Sequence, residues 1–348
     1  MVDVGSMNLP ELREAFKAEG LPDYRALQVF EWLQKHGIKS WDEATNLPKA
    51  LREHFQAEYP IQSCTVERKQ VSRDGTVKYL FQLYDGECIE SVLLRYEHGY
   101  SLCVSSQAGC ARGCVFCAST IGGCRRNLSA SEILGQIHAA QRDLNIRIGH
   151  TVLMGMGEPL DNLDAVLRFL ELVNDEAGLN ISGRNISLST CGIVPGIQKL
   201  AEYKLGLTLS VSLHAADDKL RSSLMPVNRQ YPLSQLIPAC RDYARATGRR
   251  ISFEYALLCG INDSPEQAKQ LAALLRGMLA HINLIPVNPS SRGSFEPSSP
   301  KTVTTFRDVL VSMGLNATIR RTLGQDIDAA CGQLHNRSQE IRIQESGL

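Results

Sequence analysis

Cys110, Cys114 and Cys117 form a C-x3-C-x2-C run inside SSQAGCARGCVFCAST. Three thiolates from one short loop can hold a 4Fe–4S cluster and leave the fourth iron open to a small molecule. Ferredoxin-type carriers fill all four irons and follow the last cysteine with Pro. Here the run continues Ala118-Ser119-Thr120, and nothing downstream repeats a ferredoxin pattern. A structural zinc site closed by Cys124 is the alternative reading. Zinc sites favour paired C-x2-C or Cys/His clusters, and no second pair follows, so the spacing ranks an open-iron cluster ahead of zinc.

Such a loop needs a scaffold. From about residue 104, HTVLMGMGEP, NISLSTCGIVP, LTLSVSLHAA, RISFEYALLCGIND and HINLIPVNP each begin as a short apolar run and end in Gly, Pro, Ser, Asn or Asp. LDAVLRFLELVNDE, GIQKLAEYK, LSQLIPACRDYARATG and SPEQAKQLAALLRGML lie between them with helical spacing, and NATIRRT near residue 316 reads as one more strand. This alternation predicts parallel βα units, with function gathered at the carboxyl ends of the strands. The Ser/Pro-rich stretch 287–305 reads as a mobile loop. Residues 75–104 alternate apolar side chains around Asp85–Gly86 and again near His98–Gly99, which predicts hairpins. Residues 1 to about 65 carry apolar residues at three- and four-residue spacing, with stops at Gly20 and Gly37. The expected division is a helical accessory unit over 1–70, a β-hairpin extension over 71–103 and an α/β unit over 104–348.

Hydrophobic residues make up 43% of the 348, charged residues 21% and aromatics 6%, which suits a chain with a full core. No apolar run is long enough to span a bilayer, so no membrane association is expected. MVDVGSMNLPELREAF lacks the basic and apolar regions of a signal peptide. Eleven cysteines without a secretion signal fit a reducing cytosol, so a cytoplasmic location is expected, with thiols serving metal binding or catalysis. The 37 Lys and Arg balance 37 Asp and Glu, which removes any global basic excess as an argument for nucleic acid. Arg125–Arg126, Arg249–Arg250 and Arg320–Arg321 each read singly as solvated surface.

The cluster run, followed by Gly155-Met156-Gly157-Glu158-Pro159 after a strand, resembles the radical S-adenosylmethionine (SAM) superfamily. There the open iron chelates SAM, and a GEP strand end holds its amino group. Glycine lets backbone approach the ligand, and Glu158 can accept from an ammonium. SLCVSSQAGC, MGMGEPL, SLSTCGIVPGI, VSLHAADDKLRSSLMPVN, LIPVNP and GQDIDAACGQL resemble, more narrowly, the family of dual-specificity 23S rRNA and tRNA adenine C2-methyltransferases.

The resemblance implies an α/β fold, a partial parallel (β/α) barrel with a small helical N-terminal accessory domain that binds RNA. It implies a 4Fe–4S cluster on Cys110, Cys114 and Cys117, and SAM held by Gly157, Glu158, Ser189, Ser212, Leu213, His214 and Asn288. It implies two SAM per turnover, because an adenine ring carbon is too poor a nucleophile for ordinary methyl transfer. One SAM methylates Cys331 of DAACGQL, which requires a thiolate. The other yields a 5′-deoxyadenosyl radical that activates the S-methyl group for addition to the base. Cys103 of SLCVSS then resolves the thioether adduct by forming a disulfide. The implied acceptor of the C2 proton is Glu90 of ECIESV or the Cys103 thiolate; read on its own Glu90 is an outward-facing strand residue.

Implied partners are 23S rRNA, tRNA and an electron donor such as flavodoxin or ferredoxin, and the chain is expected to act as a monomer. The target adenine must be extruded from its stack, and phosphates must be held by basic residues. Arg125, Arg126, Arg320 and Arg321 flank the cluster and carrier loops and are the candidates. Cys64, Cys88, Cys124, Cys191, Cys240 and Cys259 read as structural. A relative methylating C8 of the same rRNA adenine tends to have Ala where this chain has Pro159. A zinc-stabilised RNA-binding protein without chemistry is the alternative from a different class.

Overall fold

The computed structural model describes residues 2–62, 64–287, 295–329 and 332–334. Among them three helices precede six strands, after which helices and strands alternate, but for one pair of successive helices, to twelve strands and ten α-helices. The strands are β1 (Thr65–Val71), β2 (Val77–Gln82), β3 (Cys88–Tyr96), β4 (Gly99–Val104), β5 (Gln107–Gly109), β6 (Cys124–Asn127), β7 (Ile148–Leu153), β8 (Ile186–Thr190), β9 (Thr208–Ser212), β10 (Ile251–Leu257), β11 (Ala280–Pro286) and β12 (Asn316–Ile319). The helices are α1 (Leu9–Ala18), α2 (Asp23–Glu31), α3 (Lys49–Glu58), α4 (Ala130–Leu144), α5 (Leu163–Asn174), α6 (Val194–Tyr203), α7 (Asp218–Leu224), α8 (Leu233–Thr247), α9 (Pro265–Leu275) and α10 (Pro300–Ser312).

Ten strands form one sheet in the order β1-β2-β3-β4-β7-β8-β9-β10-β11-β12, and β5 pairs separately with β6. From β4 through β12 every neighbouring pair is parallel, which is the expected βα architecture. The sheet is open, since β12 ends it on one side and β1 on the other. Parallel strands are covered on both faces, and β8, β9 and β10 accordingly bury nearly every residue. β4 is the joint between the two parts of the sheet: it runs antiparallel to β3 and parallel to β7. The hairpins anticipated around Asp85–Gly86 and His98–Gly99 are the β2–β3 and β3–β4 connections.

Two segments differ from the sequence reading. Thr65–Val71 is a strand, fully exposed, and lies in the last residues of the 1–70 span assigned to the helical unit, beyond the helical spacing that ends near residue 65. Its apolar content is too low to announce it, and it forms because β2 offers a free edge. Pro300–Ser312 is a helix that begins inside the Ser/Pro stretch read as a mobile loop. Ser299 caps it through the Thr302 N–H and Pro300 takes the first turn, so what looked like loop composition is a helix start.

The helical module packs around Phe16, Phe30, Trp41 and Phe55, with the Phe16 and Phe55 rings stacked at 5.0 Å. Asn8 and Glu11 form a capping box on α1, and α2 runs into a π-turn that stops at Gly37, φ +58°. The module is not separate from the α/β unit; one continuous core runs through both. Arg168 on α5 pairs with Glu11 at 2.5 Å, and Asn8 donates to Glu171 at 2.7 Å. Among the described residues no helix is long and apolar enough to cross a membrane.

Candidate functional site

The cysteine loop leaves the sheet after β4 and is closed at its base by β5 and β6. Gly109 has φ +88°, and a Cβ there would lie 2.1 Å from the Gly123 carbonyl, so only glycine lets the two arms meet. Cys110 donates its N–H to the same carbonyl at 3.0 Å. Thr120 Oγ1 donates to the Cys117 carbonyl at 2.8 Å, and Arg112, between the first two cysteines, forms a bidentate pair with Asp161. The loop is thereby tied to the segment following Gly157-Glu158-Pro159.

That segment interlocks with residues 104–107. A Cβ on Gly155 would meet the Val104 carbonyl at 2.7 Å, and one on Gly157, φ +102°, would meet Gln107 at 2.6 Å. Both glycines are thus also required by close packing against residues 104–107. Glu158 is buried and accepts from the backbone N–H of Leu160 at 3.0 Å and of Cys191 at 2.7 Å. Burial pushes its carboxyl above the ordinary range, against the pull of those donors.

Cys110, Cys114 and Cys117 line one cavity together with Gly157, Glu158, Ser189, Ser212 and His214. Burial, then the neighbouring thiols, pushes Cys110 up to about 12 and raises Cys114 as well. Two buried thiols, each held protonated in part by its thiol neighbours, together with the half-buried Cys117 are a donor set that a cationic cluster would satisfy. Among the described residues no three His, Cys, Asp or Glu side chains are arranged to hold a single metal ion, whereas a four-iron cluster spreads its thiolates over separate irons. Cys124, the residue proposed to close a zinc site, is outside this cavity.

His214 sits at φ +57° after β9 and accepts from the Ala256 N–H through Nδ1 at 2.9 Å, which leaves the ring proton on Nε2. Burial, then the charge of Arg221, lowers its pKa to about 3, so the ring is neutral. Its ring meets Phe116 of the cysteine loop edge-on at 4.8 Å. Leu213 is buried and does not line the cavity; its backbone N–H donates to the Glu254 carbonyl at 3.0 Å.

A second cavity adjoins the first through shared walls, Met154 and Ile285. Cys103 on β4 lines it, with Arg320, Arg321, Ala329 and Leu334. Cys331 and Asn288 lie outside the described residues. The neighbours of Cys331 are anchored on the cysteine loop: the Gly332 carbonyl accepts from the Ala118 N–H at 2.8 Å, and the Leu334 carbonyl from Ser119 Oγ at 2.8 Å. Glu90 lines neither cavity. It is buried, not outward-facing, and pairs with Lys78 at 3.0 Å.

Sequence reasoning missed three charged residues. Arg221 is fully buried and donates to the carbonyls of Cys191 at 2.7 Å, Ser212 at 3.1 Å and Leu213 at 3.2 Å, joining the ends of β8 and β9. Glu254 lines the cysteine cavity, accepting from Ser252 and Asn283. Lys78 is the third. Glu254 and Lys78 interrupt apolar strand runs, ISFEYAL and VKYLF, and that interruption was the available signal. Of the arginines expected to meet phosphate, Arg126 is held by Asp85 at 2.5 Å and Glu132 at 2.7 Å.

Comparison with known proteins agrees with this geometry. Residues 104–272 match the model of the radical SAM superfamily, and residues 2–61 match that of the ribosomal RNA large subunit methyltransferase N-terminal domain. A protein of Desulforamulus reducens described as a probable dual-specificity RNA methyltransferase RlmN is 52% identical, covering 97% of this chain and 96% of its own length. A Clostridium novyi protein of the same description is 47% identical over 96% of this chain and 98% of its own. The crystal structure of a radical SAM methyltransferase from Sphaerobacter thermophilus superposes with a TM-score of 0.92 at 44% identity, covering 96% of this chain and 99% of that one. With its cysteine loop, strand-end motif and whole-length likeness accounted for together, the chain belongs to the radical SAM dual-specificity RNA methyltransferase family.

Proposed function

We propose that this chain methylates C2 of adenine in 23S rRNA and tRNA, with two SAM per turnover, Cys331 as methyl carrier and Cys103 as resolving thiol. The observation that supports it most is the adjacency of two cavities, one walled by three thiols and Glu158, the other by Cys103, with the neighbours of Cys331 anchored beside both. Cys110, Cys114 and Cys117 would hold a 4Fe–4S cluster, and Gly157, Glu158, Ser189, Ser212, His214 and Asn288 would hold SAM, with the buried Leu213 packed behind them. When bound, these groups supply a 5′-deoxyadenosyl radical and a transferable methyl group.

The protein's own residues do the rest. Glu158, fixed by two backbone donors, is set to accept from an ammonium, and His214 offers Nε2–H as a donor. Cys331 takes the methyl group as a thiolate. Glu90 or Cys103 takes the C2 proton, and of the two it is Cys103 that lines the second cavity while Glu90 is paired with Lys78. Cys103 attacks the Cys331 sulfur, forming a disulfide as the methylated base leaves. Pro159 after Glu158 supports C2 over C8.

The test is anaerobic reconstitution with reductant, SAM and RNA, followed by digestion and identification of the methyladenosine isomer. The expected product is 2-methyladenosine, with roughly four irons per chain. Cys331→Ala should abolish methyl transfer while SAM cleavage continues, and Cys103→Ala should trap protein covalently on RNA. An 8-methyl product overturns the position assigned, and full turnover by the Cys103 variant overturns its resolving role.

A further inference from the structure

The segment leading to Cys331 is gripped by a turn that lies 250 residues earlier in the chain. Gly324 donates its N–H to Asp74 Oδ2 at 2.8 Å. Asp326 accepts from Ser72 Oγ at 2.5 Å and from the Arg73 N–H at 3.2 Å. Lys78 Nζ, paired with Glu90 at 3.0 Å, donates to the Asp328 carbonyl at 3.2 Å. Gly324 has φ +65°, and a Cβ there would meet Thr76 Cγ2 at 2.9 Å and Ala329 Cβ at 2.7 Å, so the segment seats directly on the β1–β2 turn. Ala329, at the end of this grip, lines the Cys103 cavity.

We infer that Ser72, Asp74 and Lys78 are positioning residues: the β1–β2 turn is a dock that fixes residues 324–329 and so limits where the carrier cysteine can reach. This rests on Cys331 being the methyl carrier. Gly332 and Leu334 already tie the chain after Cys331 to the cysteine loop, and fixing residues 324–329 before it removes most of the remaining conformational search by the thiol. The contacts are specific: two anionic side chains and one ammonium each meet a complementary backbone or hydroxyl partner, and none of the three uses a residue of the cysteine cavity.

The experiment compares the reconstituted full-length protein with Asp74→Ala, Asp326→Ala and their double variant. Asp74 and Asp326 belong to surface turns, so their replacement spares the core. Asp74→Asn serves as conservative rescue, because its amide oxygen can still accept from Gly324. Hydrogen exchange of peptides covering 322–329 reads the dock without reference to chemistry. Exchange should quicken by about tenfold or more in the double variant. Single-turnover methyl transfer to RNA should fall about tenfold, while reductive SAM cleavage stays within about twofold. Asp74→Ala alone should show part of both losses, and Asp74→Asn should recover most of that part.

Unchanged exchange overturns the dock. Faster exchange with undiminished methyl transfer, or an equal loss of methyl transfer and SAM cleavage, overturns the positioning role. RNA methylation by Cys331→Ala would instead defeat the carrier assignment, and the positioning role with it, while the exchange result would still report on the dock.

Discussion

Gly157 combines φ +102° with a Cβ position 2.6 Å from Gln107, so Gly157→Ala strains the backbone and drives the strand-end segment off residues 104–107. It should lower SAM affinity at least about tenfold, as read by equilibrium dialysis of the anaerobic protein. Retained affinity would show that this close approach is dispensable. Arg221 sends its guanidinium to three backbone carbonyls, so Arg221→Met leaves buried acceptors unpaired at about 1–3 kcal/mol each. Denaturant unfolding should register a loss of about 3 kcal/mol or more. Arg221→Lys should rescue little, because an ammonium cannot span the fork. Arginines of the same composition therefore differ in use. Arg321 is exposed and lines the Cys103 cavity, whereas Arg126 is bound by two carboxylates. Arg321→Ala should weaken RNA binding and reduce the slope of log affinity against log salt by about 1. An unaltered slope would remove Arg321 from the phosphate contacts.

Gly37 ends α2 and its π-turn in the left-handed region, and an added Cβ would lie 2.3 Å from the His138 ring on α4. The helical module thus meets the α/β unit through a contact that admits no side chain, reinforced by the Gly37 carbonyl accepting from Arg142. Gly37→Ala should destabilise the whole protein by about 2–3 kcal/mol in denaturant unfolding, through φ strain and overpacking together. A change below about 0.5 kcal/mol would mean that α4 yields easily. Elements whose period and ends are written locally were legible. β7 to β11 follow from short apolar runs with Gly, Pro, Ser, Asn or Asp at their ends, and Gly20 and Gly37 do mark helix ends. β1 was not legible, because an exposed strand of TVERKQV owes its conformation to β2 and not to its own pattern.

Across the whole molecule, one continuous core makes local protonation a global matter. His138 on α4 packs its ring against Gly37 of the module, and burial, then the charge of Arg142, lowers its pKa to about 4 from 6.5. A folded-state pKa below the unfolded one means that the neutral ring favours the fold. That contribution is whole above about pH 6.5 and is lost as pH falls through about 4. Melting temperature should therefore drop between pH 6.5 and 4, and His138→Leu should flatten that part of the profile. An identical slope in the variant would assign the acid sensitivity elsewhere. Read alone, the chain already determined the βα order, the spacing of Cys110, Cys114 and Cys117 and, by resemblance, the family, because each is carried by residues close together in sequence. Only the tertiary structure decided that Lys78, Glu90, Arg221 and Glu254 are buried, that a side chain on Gly155 or Gly157 would collide with residues 104–107, and that residues 72–78 hold residues 324–328. Burial, close approach and hydrogen bonds between distant segments depend on which surfaces meet after the chain has folded, and no local pattern encodes that meeting.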